Sequence, residues 1–145
     1  MVGMTIAHEA ATPTSTAGTV RVLRVFLIRV LIAAAVYAWL VHGSKSGAVG
    51  PEPDAARVSF AIGPNPIMLI VFAVIAISGF RAAERGEPEL AALLRRRLRL
   101  IVALVALSLV VTVCWISLYP LEGWPQPNTW FFPFPFAAVE MVGPS

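Results

Sequence analysis

Few residues in this 145-residue sequence have types suited to catalysis or metal binding, and their spacing works against both. The two histidines are His8 and His42. A haem held between helices needs axial ligands inside the bundle, commonly a His pair on facing helices. His8 lies in an apolar-poor N-terminal stretch and His42 at the far end of the first apolar run, so the sequence places them at opposite membrane faces. Cys114 is the single cysteine, which excludes an internal disulfide and a CxxC pair. It has no His or carboxylate near it in sequence to activate it, and it reads as a small packing residue. Glu122, Glu140 and Tyr119 could serve an enzyme acting on lipid or quinone at a membrane surface, but no phosphate loop, HExxH or GxSxG accompanies them. Pumps and ion-coupled carriers keep ionisable groups inside the membrane. Here no Asp, Glu, Lys or His falls in the middle of an apolar run, and Ser78, Ser108 and Thr112 can return their hydroxyls to their own helix. The expectation is a chain with no catalytic residue, no metal and no cofactor.

Two other constellations stand out. Arg95, Arg96, Arg97 and Arg99 crowd the start of the last apolar run, where they can meet anionic lipid headgroups or set topology. Between Trp115 and Phe136 lie eight of the 14 aromatic residues. Trp124, Trp130, Phe131, Phe132, Phe134 and Phe136 alternate there with Pro125, Pro127, Pro133 and Pro135, which forbid a regular helix and favour extended backbone. Such a segment reads either as an aromatic belt among headgroups or as a docking arm. A proline-stiffened chain loses little entropy on binding, and Trp and Phe are strong anchors.

The elements that would position these groups follow from composition. Hydrophobic residues make up 58% and charged residues 13%, with a mean hydropathy of +0.79. Soluble domains carry about 25% charged residues, so this chain lacks the polar surface to cover a core in water. The net charge of +3 comes from Arg residues that bracket apolar runs, which excludes a nucleic-acid-binding patch. One Lys against ten Arg, with abundant Ala and Val, suggests a GC-rich bacterial source.

Residues 1–20 show no apolar period and read as a disordered tail. Helices are expected over about 22–42, 66–85 and 88–118. The first is an uncleaved anchor; the rival reading, a signal peptide, lacks a good cleavage site. Residues 43–63 read as an exposed Gly/Pro/Ser-rich loop, with 58–62 resting at the interface. Asn65-Pro66 starts the second helix and Gly86 stops it. In the third, Leu90, Ala91, Leu94, Leu98 and Ile101 share one arc, with Arg97 intruding on it. Residues 119–145 form an aromatic, proline-rich tail, and 130–142 is too short and broken for a fourth crossing.

Net charge is +2 over residues 1–29, zero over 43–62, +3 over 81–99 and −2 after Leu118. With the N-terminus in the cytoplasm, each basic segment falls inside. The expected architecture is an all-α, multi-pass protein of the bacterial inner membrane, with three helices, N-terminus in and C-terminus out. Its non-membrane pieces are too short for a core of their own. The functional expectation is a non-catalytic accessory subunit that contacts lipid and other integral membrane subunits and no nucleic acid. The alternatives are a homo-oligomeric channel or exporter subunit and the surface enzyme above.

Overall fold

The computed structural model describes residues 16–48, 57–118 and 134–144. Three helices dominate: α1 (Thr16–Leu40), α2 (Pro66–Glu84) and α3 (Leu90–Leu118). All three are long and apolar enough to cross a membrane. Three antiparallel strands accompany them, β1 (Gly43–Ala48), β2 (Arg57–Pro64) and β3 (Ala137–Pro144), in the order β1-β2-β3.

The sheet corrects the all-α expectation. Residues 43–48 and 57–64 are paired strands, with Gly43 opposite Ile62 and Ala48 opposite Arg57. The last segment is no free tail, because β3 pairs with β2 from Ala137 opposite Pro64 to Pro144 opposite Val58. In β2 the side chains alternate, Phe60 and Ile62 being buried and Val58 packed beside them. A polar strand such as Gly-Ser-Lys-Ser-Gly-Ala has little strand propensity of its own, so pairing with β2 decides its conformation. The N-terminal expectation is corrected in part: Thr16–Val20 already belong to α1, since a helix once nucleated gains a hydrogen bond for each residue added. Residues 1–15 lie outside the described set.

The helix ends form as their residues dictate. Asn65 caps α2, its Oδ1 accepting from the Ile67 N–H at 2.9 Å, with Pro66 in the first turn. At the other end Gly86 takes φ +68°, while the Glu87 N–H donates to the Ala82 carbonyl and the Gly86 N–H to that of Ala83. That 6→1 and 5→2 pair is a Schellman motif, and the left-handed residue it needs is the glycine. It turns the chain directly into α3.

The three helices meet at Gly79. A Cβ there would lie 2.9 Å from Leu94 Cδ2 and 3.0 Å from Phe26 Cε1, so α1, α2 and α3 converge on a position without a side chain. Above this contact the bundle is filled by Val30, Phe72, Ala76, Ile101 and Val105. Gly79→Val is expected to push the helices apart at a cost of about 1–3 kcal/mol, read as earlier thermal unfolding in detergent. Gly63→Ala, which meets nothing within 4 Å, is the control and is expected to change little.

Candidate functional site

Two places concentrate polar groups among apolar ones, at opposite ends of the bundle. At the sheet end the central residue is Tyr37, which is fully buried. Its hydroxyl donates to the Phe136 carbonyl at 2.7 Å and accepts from the Asn65 N–H at 2.8 Å. One phenol thus joins α1, the start of α2 and the entry to β3. Its ring packs edge-on against Phe72, with centroids 5.5 Å apart.

The sheet is also fastened to α3. Lys45 of β1 donates from Nζ to the Ile116 carbonyl at 2.7 Å. That carbonyl is among the last four of α3, which have no intrahelical partner, and α3 has no basic residue of its own in its last turn. The one lysine therefore supplies a C-terminal cap from another element. Lys45→Met is expected to lower stability by about 1–2 kcal/mol, measured by thermal unfolding. Beside it, Phe60 of β2 meets Trp115 edge-on at 6.2 Å, and Gly43 approaches Ile116 so closely that a Cβ would lie 3.0 Å from its Cδ1.

These contacts fix relative heights. For helices packed side by side, a rise of ~1.5 Å per residue from the Gly79 contact puts the ends of α1 and α2 about 21 Å up, and Leu118 about 36 Å up. The last ~15 Å of α3 therefore stands above the other two helices, with the sheet against one side. Ser108, Thr112 and Trp115 are buried on that side. Val110, Val113, Cys114 and Leu118 are exposed, and Leu118 retains 78% of its accessible surface.

At the arginine end, Arg95, Arg96 and Arg99 are exposed and Arg97 is half-buried. Arg97 Nη1 is closed off from solvent and meets no hydrogen-bond acceptor among the described residues. Its intrusion on the apolar arc was visible in the sequence; the sealed nitrogen was not.

The expected docking aromatics divide. Phe134 is exposed at 63%, while Phe136 is packed against the core and held by Tyr37. Trp124, Trp130, Phe131 and Phe132 lie outside the described residues, as do His8, Tyr119 and Glu122. Leu118, at the end of α3, and Phe136, at the entry to β3, flank that undescribed stretch. His42 is exposed, its Nδ1 3.3 Å from the Trp39 carbonyl, and Glu140 is exposed in β3. No cluster of metal-binding side chains occurs among the described residues. The hydroxyls of Ser78, Ser108 and Thr112 donate to Ile75, Leu104 and Ser108 carbonyls of their own helices.

Set against protein-family models, curated proteins and solved structures, the chain matches none.

Proposed function

We propose that this chain is a non-catalytic accessory subunit of a larger assembly in the bacterial inner membrane. Its N-terminus and arginine end face the cytoplasm and its sheet end faces out. It docks through the sheet-end third of α3, the strand edges and the aromatic segment that carries Trp124, Trp130 and Phe134.

The observation behind this reading is the mismatch in height between α3 and its neighbours. A bilayer's hydrocarbon core is about 30 Å thick. The charge-free stretch of α3, Leu100–Leu118, is about 28 Å long. If the bilayer is centred on that stretch, the sheet lies at the depth of one leaflet. The outer edges of β1 and β3, which no described strand pairs, would then turn backbone N–H and C=O groups toward lipid that cannot satisfy them. If the sheet sits in water, the end of α3 stands in water too, with Val110, Val113 and Leu118 uncovered. Either placement leaves a surface suited to protein and to neither solvent.

The channel alternative gains little from Ser78, Ser108 and Thr112, whose hydroxyls donate to carbonyls of their own helices, which leaves the exposed Ser117 as its polar group on α3. Of Tyr119, Glu122 and Glu140, the groups of the enzyme alternative, Glu140 alone is among the described residues.

Val113→Arg and Leu118→Arg test the docking face. Both are exposed, so the chain is expected to insert and fold normally while its recovery with partner subunits falls at least about tenfold. Unchanged co-purification of both variants would count against docking there. Orientation is checked separately, with Cys114→Ser combined with Glu87→Cys, an exposed position in the turn between α2 and α3. Labelling from the cytoplasmic side is the expected result, and labelling only from outside would reverse the topology.

A further inference from the structure

We infer that Arg97 anchors a binding site for the phosphate of an anionic phospholipid at the arginine end of the bundle. Arg97 follows Leu94 by one helical turn and precedes Ile101 by another, so it lies on the stripe of α3 that faces the other helices. Its Nη1 is sealed from solvent with no acceptor among the described residues, although the side chain as a whole is half-exposed. A guanidinium held this way, with one nitrogen inside and the rest at the bundle surface, requires an anion, because a buried unpaired charge is among the costliest groups a fold can carry.

Among the described residues no such anion stands at that height. The described carboxylates nearest in sequence are Glu84, Glu87 and Glu89, all exposed at the turn between α2 and α3. Arg97 lies about 10 Å or more farther along α3 than that turn. What does share its height is more positive charge. Phe26 and Leu94 both touch the Gly79 position, and α1 and α3 run parallel, so Arg29 and Arg97, each one turn beyond, stand level. Arg96 and Arg99 are exposed beside them.

The surroundings identify the anion's carrier. Ile28, Leu31, Leu100 and Val102 are exposed apolar residues within a turn or so of the two arginines. A ligand whose phosphate meets guanidinium groups and whose remainder lies along Ile, Leu and Val is a phospholipid. Arginine's planar fork matches phosphate oxygens two at a time, which lysine cannot reproduce.

The test uses the full chain in a neutral detergent, with phosphatidylglycerol as probe, phosphatidylcholine as the zwitterionic control and inorganic phosphate as the free anion. Retained lipid is counted by native mass spectrometry and thermal unfolding is followed in parallel. Phosphatidylglycerol is expected to remain bound and raise the unfolding temperature, while phosphatidylcholine and phosphate do neither. Arg97→Gln is expected to lose at least about tenfold in phosphatidylglycerol affinity, with Arg29→Gln losing less. Arg57→Gln, in the sheet at the other end, is expected to bind as the parent does. If Arg97→Gln fails to fold, Arg97→Lys keeps the charge, and a several-fold loss of affinity is expected from the lost fork. Equal retention of phosphatidylcholine, or binding unchanged in the Arg97 variants, would overturn the inference. Stabilisation by phosphate alone would reassign the site to a free anion. Full lipid retention with loss of a co-purifying subunit would assign Arg97 to a partner's carboxylate instead.

Discussion

Tyr37→Phe is expected to destabilise the protein by about 3 kcal/mol, far more than one exposed hydroxyl is worth. The phenylalanine ring fills the same space and keeps the edge-on contact with Phe72, so packing changes little. What disappears is the partner of two backbone groups at once, the Asn65 N–H and the Phe136 carbonyl. Each such group left unsatisfied costs about 1–3 kcal/mol, because no water replaces the lost oxygen at a fully buried site. The measurement is thermal unfolding in detergent, with hydrogen exchange read over residues 134–144. Faster exchange there, with α3 protection retained, is the expected pattern, since the hydroxyl is what holds the approach to β3. A change below about 0.5 kcal/mol would show that the phenol is not the joint described here.

Trp115→Ala is expected to cost about 3–5 kcal/mol, the range for large aromatic truncations in a packed interior. Trp115 is buried on the sheet side of α3 and meets Phe60 edge-on, a geometry worth about 0.5–1.5 kcal/mol beyond the area covered. Its loss opens a cavity between the sheet and α3. Helical circular dichroism is therefore expected to survive while the near-ultraviolet signal and the protection of β1 and β2 are lost. Cys114→Ala, one residue away on the exposed side, is expected to shift stability by no more than about 0.5 kcal/mol. Comparable losses from both variants would mean that the two faces of α3 are not distinct.

The sheet also changes how the aromatic segment is to be probed. Deleting residues 130–145 would remove β3 together with the buried Ala137 and uncover β2, so loss of partners would report a damaged fold. Phe134→Ala, at an exposed position, is the informative variant.

The helices were legible because each has its own local signals. Asn65-Pro66, Gly86 and the unbroken apolar runs fixed α2 and α3 to within two residues of their observed ends. The sheet was harder to read for a physical reason. Alternation in Val58, Phe60 and Ile62 is a strand signal, but it was overshadowed by the glycines and prolines around it. The conformation of β1 depends on a partner strand, and that of β3 on a strand some 80 residues earlier, so neither is encoded locally. Arg97 was visible as an interruption of an apolar arc, whereas its sealed nitrogen depends on how three helices pack. Likewise Tyr37 and Lys45 look ordinary in sequence, and their roles come from carbonyls 99 and 71 residues away.

Whether this chain works as part of a larger membrane assembly can be read from its native size. The tagged full chain would be extracted in mild detergent, sized, and the co-migrating proteins identified by mass spectrometry. The expected result is a particle much larger than the 15.6 kDa chain with its micelle, containing other membrane subunits in fixed ratio to it. A small homogeneous particle holding this chain alone would contradict it.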